Sequence, residues 1–146
     1  MNEDMRHRLF TLIKASRPPL WPALPLVFFM GLAYGRYGLA NPCFEFTPLM
    51  ILQMVMLSFP LCLFTFGLND IHDHDSDQTN PRKTGIEGKP LTIDHHVPVR
   101  KWAFTAAGLL LLVSLATLDP ANLFYAVSIL VVSFAYSTPP WRLKSR

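Results

Sequence analysis

Residues 49–68 read LMILQMVMLSFPLCLFTFGL, and residues 69–77 directly after them read NDIHDHDSD. The first stretch is twenty residues without one charge. A helix rises about 1.5 Å per residue, so such a run matches the roughly 30 Å of hydrocarbon in a bilayer. The second stretch packs four aspartates into eight residues, straight after the apolar run. A membrane span ending in a cluster of carboxylates sets both the fold class and the place to look for chemistry.

Three more segments extend the pattern on either side, 20–37, 102–118 and 121–137, each almost free of charge. The last two are near the lower length limit for a span. Their soluble alternative is a buried helical hairpin, which two preceding spans argue against. Only 16% of the 146 residues are charged and 51% are apolar, against about 25% charged in soluble domains. The expected fold is therefore all-α: a multi-pass transmembrane helical bundle of about four spans in a single domain over 1–146, with a long polar loop at 69–101. Cys43 falls in a loop and Cys62 in a span, which is no disulfide framework. The first apolar run is too long for a cleaved signal, and no Ala-x-Ala-like site follows it.

Twelve of the thirteen Lys and Arg residues lie in 1–17, in 69–101 or after residue 141; the exception is Arg36. Positive loops stay cytoplasmic, so both termini and the 69–101 loop are expected on that side. The net charge of +3 then reflects orientation and contact with anionic membrane lipid. It does not indicate a nucleic-acid partner, because no basic face exists outside the loops. Pro18 and Pro19 suit a helix entry. Pro22, Pro25 and Pro60 are expected to bend or locally unwind their spans. The short Asp119-Pro120 connection packs the last two spans antiparallel.

On a helix each residue turns about 100°, so Asp70, Asp73 and Asp77 fall within an arc of about 60°, with Asn69 beside Asp73 and Asp75 nearly opposite. Carboxylates this close repel one another unless a cation sits among them. Hard oxygen ligands favour Mg²⁺ or Mn²⁺, and Mg²⁺ commonly binds one or two carboxylates together with substrate phosphates. The plain alternative is a solvated acidic cap on a helix leaving the membrane. A transition-metal site built on His72 and His74 is a third reading, but on a helix those rings point about 200° apart. His95-His96 reads as a solvated pair. Downstream, Arg82, Lys83 and Lys89 sit in a Gly-containing loop, where they are free to fold back and neutralise a diphosphate. As topology residues alone they satisfy the positive-inside pattern equally well.

These features together resemble the UbiA superfamily of intramembrane prenyltransferases. Asn69, Asp70, Asp73 and Asp77 match its first Asp motif, Asn-Asp-x-x-Asp-x-x-x-Asp. Asn80-Pro81-x-Lys83 and Pro90-Leu91 look like its cytoplasmic loop. Arg17-Pro18 and the run from Tyr136 to Lys144 look like further family features. The run from Asn80 to Gly88 is most similar to the lycopene elongase branch. The resemblance implies Mg²⁺ (or Mn²⁺) held by Asp70, Asp73 and Asp77, with Asn69 orienting a ligand or its water. It implies a prenyl diphosphate donor neutralised by Lys83, Arg82 and Lys89, and a lipophilic acceptor that attacks the allylic cation in an apolar chamber. Family members are usually built of about nine helices with a second Asp-rich motif, which is not found here. The domain is thus expected to be incomplete: a fragment, a half that pairs with a second-half subunit, or a homodimer. Two rival functions stay open: a non-catalytic membrane module that binds prenyl diphosphate or a partner protein, and a small transition-metal transporter.

Overall fold

A computed structural model describes residues 3–34, 47–78 and 91–143. Among these residues the regular structure is entirely helical. Helix α1 (Glu3–Ala15) is followed by a single 3₁₀ turn (Pro18–Leu20) and α2 (Ala23–Leu32). Helix α3 (Pro48–Leu57) continues through α4 (Phe59–Cys62), a π-turn (Leu63–Gly67) and α5 (Leu68–His72), and α6 (His74–Gln78) follows at once. A second 3₁₀ turn (Ile93–His95) leads into α7 (His96–Ala116), and α8 (Pro120–Ser137) closes the bundle.

Three helical runs are long and apolar enough to cross a membrane: Pro48–His72, Ile93–Ala116 and Pro120–Ser137. The fold is an all-α membrane helical bundle. The first expected span is represented by a shorter apolar helix, Pro18–Leu32, and the rest of 20–37 beyond Tyr34 lies outside the described residues. Proline chemistry explains the interruptions. Trp21 and Pro22 keep helical dihedrals between the 3₁₀ turn and α2, so the expected unwinding at Pro22 is only a change of helix type, and Pro25 lies inside an unbroken α2. At Ser58 the backbone departs from helix (φ −86°, ψ −117°). Pro60 lacks an N–H and its ring takes the space of the carbonyl four residues back, so the helix breaks there. The hydroxyl of Thr47 accepts from the Met50 amide at 3.2 Å, and the Asp119 carboxylate accepts from Ala121 at 2.9 Å. Each residue therefore caps a helix whose first position is proline. Asp119 thus has a structural task.

The core is centred on α4, the π-turn and α5. Leu61, Leu63, Phe64, Leu68 and Ile71 pack against Val99, Ala103, Ala107 and Leu110 of α7, against Leu130 of α8, and against Leu12 and Ala15 of α1. Alanines on the inner face of α7 let it lie close to the π-turn, as small residues do between membrane helices. A polar link also crosses this interior. Gln53 Nε2 donates to Ser114 Oγ at 3.0 Å, and the two residues are 2% and 0% exposed. Outward faces of α7 and α8 expose Leu112, Leu115, Phe124, Val131 and Val132, as expected of helices bathed in lipid. Trp102 and Trp141, both half-exposed, lie toward the acidic end of the bundle, where interfacial tryptophans gather.

Gly67 marks the closest approach. A β-carbon there would stand 2.9 Å from Val99 Cγ1, whereas one at Gly108 meets nothing within 4 Å. Valine is stiff about χ1, so Val99 cannot simply swing aside. Gly67→Ala is expected to cost about 1–3 kcal/mol by overpacking. Gly108→Ala is expected to be neutral or to gain up to about 1 kcal/mol from helix propensity. Unfolding in mixed micelles checks both; equal stabilities would place the closest contact elsewhere.

Candidate functional site

The acidic segment keeps its helical register across a small break. Asp73 has φ −97° and ψ 4°, yet its amide donates to Asn69 O at 2.9 Å and the Asp77 amide donates to Asp73 O at 2.8 Å. Asp70, Asp73 and Asp77 therefore share one side, as their spacing predicts. Asp70 and Asp77 are buried, each 6% exposed, Asp73 is intermediate and Asp75 faces out.

Among the described residues, arginines pair with two of these three carboxylates. Arg17 Nη2 lies 3.1 Å from Asp70 Oδ1, and Arg142 Nη2 lies 3.1 Å from Asp73 Oδ1. Arg142 Nη2 also donates to the His72 carbonyl at 2.9 Å. Both arginines have positive φ, 53° for Arg17 and 35° for Arg142, a conformation that costs a non-glycine residue energy. Local hydrogen bonds hold Arg17 in place: Arg17 N to Lys14 O at 3.1 Å, Leu20 N to Arg17 O at 2.9 Å, and Trp21 Nε1 to the oxygens of the fully buried Ser16. The Arg17 guanidinium also lies 4.6 Å from the centroid of the Phe66 ring. The stripe is thus flanked by two guanidiniums, one at the entry to the first apolar helix and one just past the end of α8.

The same helix face continues inward as a ladder. Thr65, Asn69 and Asp73 stand four residues apart, and each meets the α8 side of the bundle. Thr65 Oγ1 donates to Ser133 Oγ at 3.2 Å, Ser137 Oγ donates to Asn69 Oδ1 at 3.3 Å, and Arg142 pairs with Asp73. Beside the ladder is a cavity of about 260 Å³ lined by Arg17, Thr65, Phe66, Asn69, Asp73, Tyr136 and Ser137. Ser137 is fully buried, so this polar face is built into the bundle.

Among the described residues no three His, Cys, Asp or Glu side chains are grouped closely enough to hold a metal ion. The three carboxylates share a face without converging on one point. Two of the histidines have hydrogen-bond partners within the protein. His74 Nδ1 pairs with the Leu91 carbonyl at 2.8 Å, its Nε2 pairs with Gln78 Nε2 at 2.8 Å, and His95 Nδ1 lies 2.6 Å from Thr92 Oγ1. Arg82, Lys83 and Lys89 lie outside the described residues. From sequence, Arg17 and Arg142 carry only a topology role and family likeness, Tyr136 and Ser137 family likeness alone, and Thr65 and Ser133 are passed over. The i, i+4, i+8 spacing of Thr65, Asn69 and Asp73 was the available signal.

The lycopene elongase/hydratase of Corynebacterium glutamicum is 33% identical over 144 residues, which cover 97% of this chain and 47% of that protein. The chain is similar to lycopene elongase/hydratases. A second, from Haloarcula japonica, is 30% identical over 134 residues, covering 92% of this chain and 44% of that protein. The C(50) beta-cyclic carotenoids biosynthesis protein LbtBC of Dietzia sp. is 32% identical over 140 residues, covering 93% and 30%. The chain spans about half the length of the lycopene elongase/hydratases it matches. Its relatives are thus named for enzymatic steps in carotenoid biosynthesis. No protein-family profile matches the chain, and no solved structure matches it.

Proposed function

We propose that this chain carries the diphosphate-handling part of a UbiA-type membrane prenyltransferase, which moves a prenyl group from an allylic prenyl diphosphate to a polyene acceptor. The observation that carries this reading is the carboxylate stripe of Asp70, Asp73 and Asp77 flanked by two guanidiniums, with Asp73, Asn69 and Arg17 lining a cavity in an apolar bundle. The relatives' names supply the acceptor class.

The donor set is all oxygen, which suits Mg²⁺ or Mn²⁺. Because no three of these carboxylates converge, the arrangement fits a cation shared with substrate phosphates and does not fit an all-protein cage. Asp70, Asp73 and Asp77, with Asn69, are the residues that would hold it. When bound, the cation neutralises charge on the departing diphosphate. Arg17 and Arg142 lie where they take part of that charge, and Lys83, Arg82 and Lys89 are proposed to add to it from the loop. Phe66 and Tyr136 offer aromatic faces in the cavity, which attract positive charge. The apolar surround keeps bulk water from the allylic cation. We place the acceptor's chamber between this bundle and helices equivalent to the rest of the relatives' length, from the same protein, a second-half subunit or a second copy. Both termini and the acidic end are placed on the cytoplasmic side, since twelve of thirteen cationic residues lie there.

The test is transfer of a labelled allylic diphosphate onto a linear polyene in source membranes. A prenylated product that forms with Mg²⁺ and is lost on chelation is expected. Tight Zn²⁺ binding without diphosphate, and no Mg²⁺-dependent product, would overturn the reading in favour of a transition-metal site.

A further inference from the structure

The innermost rung of the ladder has no task in diphosphate chemistry. Thr65 lies eight residues before Asp73 on the same face, about 12 Å deeper along the helix. Hydroxyls in apolar helices usually bond back to a carbonyl of their own helix. Ser128 does so, donating to Phe124 O at 2.8 Å, and Thr105 donates to Lys101 O at 3.0 Å. Thr65 instead donates across the bundle to Ser133 Oγ at 3.2 Å. It lies in the π-turn Leu63–Gly67, where widened geometry shifts the carbonyl four residues back out of register. Thr65 lines the cavity together with Asn69, Tyr136 and Ser137. The site's polar surface therefore reaches well beyond the carboxylates, in a direction where a prenyl group needs only apolar walls.

We propose that the Thr65–Ser133 pair holds a water molecule that decides whether the acceptor cation is quenched as an alcohol or as an alkene. The proposal rests on the prenyl-transfer reading above. The allylic C–O bond breaks and its electron pair leaves with the diphosphate. The acceptor's alkene π pair forms the new C–C bond and leaves positive charge on its second, tertiary carbon. From there a water lone pair forms a C–O bond and sheds one proton, or a neighbouring C–H sheds one proton to give an alkene. In either branch the proton goes to an oxygen of the released diphosphate, so the two products differ by one water. A buried water needs two to four polar partners and about 30 Å³. Thr65 Oγ1 lines the cavity and is bonded to Ser133 Oγ at its edge, Asn69, Tyr136 and Ser137 line it as well, and its volume of about 260 Å³ leaves room beside a five-carbon unit. Thr65 and Ser133 thereby act as specificity-determining residues.

The experiment places Thr65→Val and Thr65→Ser at the chromosomal locus, so the protein keeps whatever it assembles with. Polyene products are resolved by mass, with ¹⁸O-labelled water tracing the oxygen. Thr65→Val is expected to lower the alcohol-to-alkene ratio about tenfold, the order of one lost hydrogen-bond partner, and Thr65→Ser to restore it. The ratio is the readout, because a merely structural cross-link changes yield and not partition. An unchanged ratio in Thr65→Val, at any yield, overturns the proposal and leaves prenyl transfer standing. Absence of prenylated product from wild-type membranes overturns the prenyl-transfer reading and this proposal with it.

Discussion

Asp73→Asn is expected to weaken Mg²⁺-dependent prenyl diphosphate binding by roughly 100-fold or more, the upper end of what is seen when support around a metal ligand is lost. Asp73 is the centre of the stripe, one turn from both Asp70 and Asp77, and its carboxylate meets Arg142 at 3.1 Å. The amide keeps the shape and removes the charge, so it weakens the cation site and the charge-assisted bond to Arg142 at once. Asp75→Asn is the control: Asp75 is exposed and faces away, and binding should stay within about twofold, as for a solvent-screened charge. Equilibrium binding of a labelled prenyl diphosphate to the protein in nanodiscs, titrated with Mg²⁺, reads both. Unchanged binding in Asp73→Asn would remove the site assignment. Equal losses at both positions would mean that the buried stripe is not the binding face.

The parts of this molecule that were legible in sequence are those set by local rules. An uncharged run of span length must be helical in lipid because its backbone has no other partner for its polar groups. The 70/73/77 spacing survived the interruption at Asp73 because the amide-to-carbonyl bonds on either side of it held register. Pro60 broke its helix as its ring geometry demands. Repulsion among the carboxylates was also legible, but the groups that relieve it were not. Arg17 is 53 residues from Asp70, and Arg142 is 69 residues from Asp73. Such pairings depend on how α2 and α8 dock, which no local pattern encodes. Both arginines also adopt positive φ, a conformation that residue type argues against. The Thr65–Ser133 contact was hidden for a related reason: a threonine in an apolar run reads as a back-bonded hydroxyl until the π-turn is known.

Arg17→Ala is expected to destabilise the folded bundle by about 3 kcal/mol, the lower end of the cost of removing one partner from a buried ion pair. The Asp70 side chain is 8% exposed and the Arg17 side chain 22%, so the remaining carboxylate would face little water. The substitution also strips the cation from the face of Phe66, which adds a smaller loss. Backbone strain can be separated from the pair. Alanine keeps the penalty of φ 53° at this position, whereas glycine adopts it freely, so Arg17→Gly should be less damaging by about 1 kcal/mol. In the double variant Arg17→Met/Asp70→Leu the buried charge is gone from both sides, and stability should return toward that of the parent, as for other ion pairs replaced by apolar groups. Unfolding of the parent and the three variants in mixed micelles gives the comparison. If Arg17→Ala lies within about 0.5 kcal/mol of the parent, the range of an ordinary surface substitution, Arg17 is not what stabilises the buried Asp70. If it is costly and the double variant recovers, the guanidinium is what allows a carboxylate to be buried at the end of a membrane span, and Arg17 belongs to the site as firmly as the aspartates do.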